Sequence, residues 1–491
     1  MKRLISIILS FLFLLTATAP LYAYASVKTD YSRVSLLQEG SFDDAQIVAD
    51  TAQLSSSYSN LSAVQDFIYT SLSNVKTNFD IRSYKIQRAD FPLIYANVIN
   101  DHPDLFYVSS SIQYGYYSDG TVGTFRPYYT VETKDIDAAK KIFNRGFMYA
   151  VDLVDDTMDD VQKALVIHDY LCMIALYPKL IYTSDDKQIY HSAYGMFYDG
   201  TVVCAGYALA YSAIMNYLGI PCKYVISDEM SHAWNIVQIN GKWYNVDLTY
   251  DDLYMALGEN AHSMIAHNCF LKSTAAMSGN TGIWHKGMSY PDEITCDDTT
   301  YDNAFWNDIN TNIPVANGDY YYIDCNVNNL KFNIIKRDKN GNTSLICNDT
   351  YMTSGQRRVS SNPNNSSDKH YYNIFYSPLI GYNNRLYFAN VNYTSSSVKN
   401  GILNSINFDG SNKKSFVTLE NSKCFLSLGV ENGDLLYLPI IDMKSQNKVL
   451  MPRISSFDNA FDSNGYDSYA DVNNDGINNA KDYAMIMNGK Y

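Results

Sequence analysis

Positive charge and long apolar runs are both scarce in this chain. Its 491 residues carry 37 Lys and Arg against 51 Asp and Glu, a formal net charge of −14. This acidic balance argues against nucleic acid or an anionic membrane as the partner. The one long apolar run, residues 4–15, follows the basic start Met1-Lys2-Arg3 and precedes a small-x-small site at Ala23-Tyr24-Ala25. It is too short for a membrane span, so we expect a signal peptide at residues 1–25 and a soluble, exported mature chain without an integral membrane segment.

Cysteine is also sparse and scattered, with eight residues and no Cys-x-x-Cys pair. An exported chain with so few thiols is not a disulfide scaffold, and the spacing gives no zinc or redox motif. Cys325 and Cys347 are close enough in sequence to bridge within one β unit, and the sequence leaves that pairing open. His262, His267 and His285 lack a metal-ligand pattern, because no acidic partner recurs at helical spacing beside them.

The most informative local pattern surrounds Cys204. The residues after it are apolar at helical spacing and end at Gly219-Ile220-Pro221, a helix stop. Asp199-Gly200 before it is typical of a turn. The pattern predicts Cys204 at a helix N-terminus, where free N–H groups and the helix dipole favour a thiolate and can receive an oxyanion. Ala205 and Gly206 are expected to leave room for a substrate backbone beside the sulfur.

A second pattern predicts a β-hairpin. Two strand-like runs flank Asn240-Gly241, the strongest short signal for a two-residue turn. That turn pairs Ile239 with Lys242 and makes His232 and Asp247 diagonal neighbours on one face of the sheet. An imidazole and a carboxylate at that distance interact, and the carboxylate fixes the tautomer and stabilises the charged ring.

These motifs resemble the transglutaminase-like superfamily of bacterial secreted proteins. The resemblance rests on Val-Cys-x-Gly-Tyr-Ala, His-Ala-Trp-Asn and Trp-Tyr-x-Val-Asp, and it covers about residues 150–275. It implies a papain-like core with Cys204 as nucleophile, His232 as base and Asp247 as the orienting acid. Members include proteases, amide-forming or amide-cleaving enzymes and inactive scaffolds, so the reaction stays open.

Other residues near these motifs carry weaker predictions. Leu248 and Tyr250 stand where the family usually has Pro and Trp, which we interpret as packing changes. Tyr194 and Trp234 are candidate substrate contacts, and Tyr194 is also a candidate for the second oxyanion donor.

Three further polar residues lie close to the motifs in sequence. His168 follows apolar neighbours on a predicted helix, which is typical of a satisfied core histidine. Asp251 and Asp252 follow the hairpin, where they either bind a cation or solvate a loop, and we expect the loop.

The regions on either side of this core have their own patterns. Residues 26–149 form a predicted α/β lead-in, with helical spacing at 63–73, 90–100 and 135–152 and a hairpin-like stretch at 114–129. Residues 299–452 hold aromatic strands that recur with Asn-Gly or Asp-Gly turns, which indicates antiparallel sheets in an incomplete propeller or a sandwich. Residues 453–468 are polar and irregular, as in a linker.

The C-terminal segment, residues 469–491, carries an EF-hand-like calcium loop. Gly476 occupies the sharp turn, and the predicted calcium ligands are Asp471, Asn473, Asp475, Ile477 through its carbonyl, Asn479 through water, and Asp482. The loop and the short helix predicted after it resemble a dockerin repeat, which implies a cohesin-bearing scaffold as partner. Only one repeat is present, and Ile477 lies one place earlier than in the family.

Together these patterns predict an α+β fold. A papain-like, transglutaminase-like core at residues 150–298 is followed by an antiparallel all-β repeat domain and the EF-hand-like dockerin segment. The expected function is a secreted thiol-dependent acyl-transfer enzyme, a cysteine peptidase or amidase with a peptide or protein substrate, tethered to a cellulosome-like complex. The core itself needs no cofactor. The alternatives are a non-catalytic binding or scaffold protein, a protein-crosslinking transglutaminase, and an accessory protein of polysaccharide degradation.

Overall fold

The structure is a computed structural model. It describes residues 40–45, 54, 57–178, 188–227, 229–252, 265–278, 285, 287–288, 290, 294–326, 331–351, 353–359, 370–376, 379–382, 384–393, 398–419, 424–431 and 434–440. The predicted signal peptide, the linker at 453–468 and the calcium loop at 471–482 lie outside the described residues.

The chain folds into two compact units, each assembled from separate stretches. The first takes its described residues from Met1–Phe147, Tyr177–Thr249 and Leu271–Asp302. The second takes them from Met148–Leu176, Tyr250–Phe270 and Asn303–Tyr491. The domain limits predicted from the sequence stay predictions. Among the described residues, no helix is both long and apolar enough to span a bilayer.

The N-terminal part of the first unit is a small α/β layer. Its antiparallel sheet has the order β1-β3-β4-β2. Its elements are β1 (Gly40–Ala45), α1 (Leu61–Ser73), β2 (Phe79–Asp80), α2 (Phe91–Asp101), β3 (Val108–Tyr117), β4 (Val122–Tyr129) and α3 (Ile136–Val151). The three predicted helices and the predicted hairpin are therefore present. Phe91 and Tyr95 of α2 pack against Phe125 of β4, with ring centroids 5.2 and 6.0 Å apart, which joins helix and sheet.

The central elements combine helices with a second antiparallel sheet of order β5-β6-β7-β8. They are α4 (Asp160–Ile174), α5 (Ala193–Tyr198), α6 (Cys204–Tyr217), β5 (Cys222–Ser227), β6 (His232–Ile239), β7 (Lys242–Val246), α7 (Leu248–Asp251), β8 (Phe270–Lys272) and α8 (Thr274–Ser278). By unit, α4 belongs to the second unit, whereas α5, α6 and β5 to β7 belong to the first.

The hairpin formed by β6 and β7 has the predicted register. Ile239 pairs with Lys242, and Asn240 and Gly241 have φ of +51° and +77°. Positive φ at both central positions is the geometry that an Asn-Gly turn accepts, and its twist matches that of the strands. The hairpin prediction is confirmed.

Helix α6 begins and ends where the sequence predicts. Cys204 is its first residue, after the extended N-cap residue Val203. At the other end Gly219 has φ +78°, and the N–H of Ile220 donates to the Met215 carbonyl over 2.9 Å. This left-handed glycine closes the last turn of the helix.

Gly206 serves packing rather than the substrate space that the sequence predicted. A Cβ at this position would come within 2.7 Å of Val202 Cγ1 and 2.8 Å of the Tyr190 carbonyl oxygen. Because Gly206 has no side chain, the first turn of α6 can pack closely against Val202 and the Tyr190 carbonyl. The prediction that Gly206 leaves room for a substrate backbone is wrong, because that volume is already filled.

We expect Gly206→Ala to destabilise the protein. In a helix interior this substitution normally gains about 0.5–1 kcal/mol, but overpacking costs about 1–3 kcal/mol. Thermal denaturation followed by circular dichroism should show a lower midpoint for the variant. A raised midpoint would contradict the tight contact.

The described residues of the second unit form four antiparallel sheets. Their orders are β12-β11-β10-β9, β13-β14, β15-β16-β17-β18 and β19-β20. The strands are β9 (Val315–Ala316), β10 (Asp319–Asn326), β11 (Lys331–Arg337), β12 (Thr343–Tyr351), β13 (Thr353–Val359), β14 (His370–Tyr376), β15 (Leu379–Tyr382), β16 (Arg385–Tyr393), β17 (Val398–Asn407), β18 (Lys414–Leu419), β19 (Cys424–Glu431) and β20 (Asp434–Ile440).

The two four-stranded sheets of this unit share a core. Tyr321 and Phe332 from the first sheet lie in one apolar cluster with Leu386 and Phe388 from the second. The aromatic strands predicted within residues 299–452 are present and include β10, β16 and β20. Antiparallel sheets are thus present, and the choice between propeller and sandwich stays a prediction. Cys325 and Cys347 are both free thiols, so the disulfide left open by the sequence is not formed.

Candidate functional site

The nucleophile candidate lies in the first turn of α6. Cys204 is the first residue of that helix and is 8% exposed. The preceding residue is held by a hydrogen bond from the Val203 N–H to the Tyr190 carbonyl, 2.9 Å long. The Gly206 and Tyr207 N–H groups donate to the Val203 carbonyl at 2.8 and 3.2 Å. The first two N–H groups of α6, those of Cys204 and Ala205, have no acceptor inside the helix and are donors beside the sulfur.

Helix α6 is tied to strand β6 by a buried amide. Asn235 Nδ2 donates to the Ala208 carbonyl at 3.0 Å, and Asn235 has no solvent exposure. The His-Ala-Trp-Asn motif therefore supplies both the imidazole and the link that aligns the helix with the strand. The Cys204 side chain hydrogen-bonds His232, so the thiol and the imidazole meet.

The carboxylate of Asp247, directly after strand β7, completes the arrangement. His232 Nε2 lies 2.7 Å from Asp247 Oδ2, the contact that the hairpin register predicts. The other oxygen, Oδ1, accepts the backbone N–H of Thr249 at 3.0 Å. Asp247 is fully buried and His232 is 6% exposed. The structure therefore brings together all three residues of the predicted triad.

Burial and charge act in opposite directions on this pair. Desolvation by itself would lower the pKa of His232, but the charge and hydrogen bond of Asp247, with a smaller contribution from Cys204, raise it to about 10. Burial would raise the pKa of Asp247, yet the two histidines that donate to it hold that pKa well below its usual range. The site therefore favours a charged imidazolium beside an ionised carboxylate.

A second histidine shares the same carboxylate oxygen. His285 Nε2 lies 2.7 Å from Asp247 Oδ2, and the His285 side chain is buried. Its ring meets Trp234 edge-on, with centroids 4.9 Å apart. Sequence reasoning missed this residue because His285 lies 38 positions beyond Asp247 and belongs to no local motif.

The two predicted substrate contacts are packed inside the first unit. Trp234 is 1% exposed, and its Nε1 donates to Asn245 Oδ1 at 3.0 Å. Tyr194 is 6% exposed and stacks on Phe106, with centroids 4.7 Å apart. Both rings are packed among neighbouring side chains, and their roles as substrate contacts, like that of Tyr194 as an oxyanion donor, stay predictions.

The family departure at Leu248 also serves packing. Leu248 is 2% exposed and begins the short helix α7 directly after Asp247. This burial fits the interpretation of a packing change.

A second His–Asp cluster lies in the second unit and is fully buried. His168 Nδ1 is 2.9 Å from Asp169 Oδ1, and His168 Nε2 is 3.2 Å from Asp251 Oδ2. His267 Nε2 is 3.0 Å from Asp169 Oδ1. We name these four residues the buried His–Asp cluster.

This region of the structure corrects one sequence interpretation and agrees with another. Asp251 and Asp252 are not solvated loop residues, because they are 0% and 3% exposed, and Asp251 accepts the Cys269 N–H at 3.0 Å. His168 is a satisfied core histidine as predicted, but its partners are carboxylates. Burial would lower the pKa of His168, yet Asp169 and Asp251 raise it to about 9.

Two trios of these side chains have the donor types that a divalent metal uses. They are His232, Asp247 and His285 in one unit, and His168, Asp169 and His267 in the other. Two ligands of one tetrahedral zinc ion lie roughly 3.3 Å apart, as its bond lengths require. The N–O contacts within the trios are shorter than this separation, at 2.7 to 3.0 Å, and have the length of charge-assisted hydrogen bonds.

One family model matches within the core. Residues 148–248 match the family described as the Transglutaminase-like superfamily. A solved structure described as the crystal structure of a TGase is similar at 12% identity and a TM-score of 0.21, over 35% of this chain and 49% of its own. This chain therefore spans about half the length of that TGase. No curated protein matches. The chain contains a transglutaminase-like domain at residues 148–248.

Proposed function

We propose that this protein is a thiol-dependent acyl-transfer enzyme that hydrolyses peptide or amide bonds in peptide or protein substrates. The observation that carries the proposal is the contact set of Cys204, His232 and Asp247, with the carboxylate 2.7 Å from Nε2 of the imidazole. A thiol, a base and an orienting acid in this order of contact are what nucleophilic acyl transfer requires.

The first half-reaction forms a thioester. With Nε2 hydrogen-bonded to Asp247, Nδ1 is the ring nitrogen that is left to take the proton of Cys204. The sulfur attacks the substrate carbonyl carbon, and first-turn N–H groups of α6 stabilise the oxyanion. The tetrahedral intermediate then breaks the C–N bond, and His232 gives its proton to the leaving amine.

The second half-reaction restores the thiol. Water attacks the thioester carbonyl, and His232 takes the proton of that water. The carbonyl–sulfur bond breaks, the carboxylic acid leaves, and the proton returns to Cys204. Water is abundant outside the cell, and no sequence feature indicates an amine-acceptor site, so hydrolysis is favoured over crosslinking.

A quantitative labelling experiment tests this proposal. Alkylation of Cys204 by iodoacetamide at pH 7 should be much faster than that of Cys222, whose pKa is raised by burial. In His232→Gln, which keeps much of the side-chain volume, the Cys204 rate should fall by about tenfold or more, because the imidazolium that stabilises the thiolate is gone. Peptide mass spectrometry separates the two thiols. An unchanged rate in a folded variant would refute the proposal.

The acyl acceptor is tested separately with a peptide amide substrate. Hydrolysis predicts a carboxylic acid product whether or not a primary amine is added. Crosslinking predicts that the amine is incorporated instead.

The second candidate function is a non-catalytic binding module that retains the fold. The observation in its favour is the burial of the thiol and the imidazole, at 8% and 6% exposure. It predicts that Cys204 alkylates as slowly as Cys222 and that ligand binding survives Cys204→Ala.

We also propose an extracellular location, calcium binding by the C-terminal loop, and docking to a cohesin-bearing scaffold in a polysaccharide-degrading complex. These proposals rest on residues 1–25 and 471–482, through the signal-peptide and EF-hand-like patterns of the sequence. Isothermal titration of the full mature chain with calcium tests the second of them.

A further inference from the structure

The carboxylate of Asp247 is held by three donors that approach from different elements. Oδ2 accepts the Nε2–H of His232 from β6 and the Nε2–H of His285, each at 2.7 Å. Oδ1 accepts the backbone N–H of Thr249 at 3.0 Å. Of the two histidine donors, His285 is the one that lies outside the motifs of the site.

We propose that His285 is a positioning residue of the Cys204–His232–Asp247 triad, an inference that rests on the proposed function. Its N–H fixes Oδ2 from a second direction, so that the carboxylate stays aligned with the imidazole of His232. Its hydrogen bond and charge also help to lower the pKa of Asp247 and so keep it ionised. His285 acts through Asp247 and not on the substrate.

The surroundings of His285 fit this role. Its backbone N–H donates to the Met277 carbonyl of α8 at 3.2 Å, and its ring rests edge-on against Trp234. Trp234 is itself held by Asn245, so the donor belongs to a packed shell with little freedom to move. Groups with locked side chains are those that orient catalytic partners well.

A second donor matters because misalignment at a catalytic group is costly. A displacement of about 1 Å can reduce a rate about 100-fold. If Thr249 and His232 were the only donors, the Asp247 carboxylate could rotate about its side-chain bonds while it kept one hydrogen bond to the imidazole of His232. The third hydrogen bond removes that freedom before substrate arrives.

The test compares two amides at position 285 in the full mature chain. The amide nitrogen of Gln reaches close to the place of Nε2, whereas that of Asn stands nearer to Nδ1 and falls short of Asp247. We expect His285→Gln to keep the Cys204 alkylation rate within about threefold and His285→Asn to lower it by about tenfold or more. Iodoacetamide at pH 7 is the probe, and circular dichroism checks that each variant is folded.

Asp247→Asn provides the second arm. If His285 acts through that carboxylate, adding His285→Asn to Asp247→Asn should cause no further loss of rate. An equal further loss would assign His285 to packing and overturn the inference. Equal rates for the Gln and Asn variants would overturn it as well.

The two proposals fail in different ways. If His232→Gln slows alkylation but His285→Asn does not, the inference falls and the triad stands. If His232→Gln leaves the rate unchanged, the proposed function itself is wrong, and His285 has no triad to position.

Discussion

Replacement of Cys204 with Ala is expected to reduce peptide or amide hydrolysis by about 10⁴-fold or more, to the level of the background reaction. The reason is that in the proposed mechanism the sulfur of Cys204 forms the thioester, which the methyl group of Ala cannot do. The fold should persist, because Cys204 is a small side chain at a helix start and loses few contacts. Hydrolysis of a peptide library, read by mass spectrometry, measures the loss.

The control for this variant is Cys222→Ala. Cys222 is a buried free thiol at the start of β5 in the same unit. We expect it to keep full activity. Hydrolysis that survives Cys204→Ala would show that the nucleophile lies elsewhere.

Asp169→Asn is expected to destabilise the protein by about 3–5 kcal/mol, the usual cost of breaking a buried ion pair. Asp169 is fully buried and accepts four hydrogen bonds, from His168, His267, the Ile313 N–H at 2.7 Å and Asn312 at 3.4 Å. Asn supplies one acceptor atom in place of two and no charge, so a protonated His168 loses a partner. Urea unfolding followed by circular dichroism measures the effect.

The pH dependence of this loss has a definite sign. The pKa of His168 is raised to about 9, so its contribution to stability is full below about 6.5 and is lost as pH rises towards 9. The pKa of Asp169 is lowered, so its contribution is present above about 3.8 and is lost in stronger acid. The gap between wild type and variant should therefore be widest from about pH 4 to 6.5 and should narrow by pH 9.

An exposed His–Asp pair provides the control. His102 Nδ1 lies 3.9 Å from Asp104 Oδ1, and both side chains are more than a third exposed. We expect Asp104→Asn to change stability by about 0.5 kcal/mol or less, as surface pairs do. Equal losses of unfolding free energy for Asp104→Asn and Asp169→Asn would show that burial of the His–Asp cluster does not add to stability.

Short sequence patterns predict those features of the site that depend on residues close together in the sequence. The Asn-Gly turn fixes the register of β6 and β7, and that register places His232 beside Asp247. Helical spacing closed by Gly219 predicts that α6 begins at Cys204. In both cases a short run of sequence determines the geometry, so no tertiary information is needed.

Contacts between distant segments could not be predicted in this way. His285 reaches Asp247 across 38 residues, and His267 reaches Asp169 across 98. Neither histidine is part of a repeating pattern. Only the packing of separate elements brings them to their carboxylates.

The burial of a residue is hard to infer from sequence where that residue type commonly serves either packing or substrate contact. The glycine two residues after the candidate nucleophile is expected to leave space, but Gly206 accommodates Val202 and the Tyr190 carbonyl. Trp234 is a candidate substrate contact in the sequence, and in the structure its ring packs beside that of His232 with centroids 5.8 Å apart. A sequence pattern marks such residues as important, but it does not show which neighbouring groups pack against them.

The most direct test of the central claim is to trap the acyl-enzyme. The mature protein is mixed with p-nitrophenyl acetate, quenched in acid within seconds and digested for peptide mass spectrometry. We predict an acetyl group on Cys204 that is absent from Cys204→Ala and strongly reduced in His232→Gln. An acetyl group confined to other residues, or equal on Cys204 with and without His232, would contradict the account.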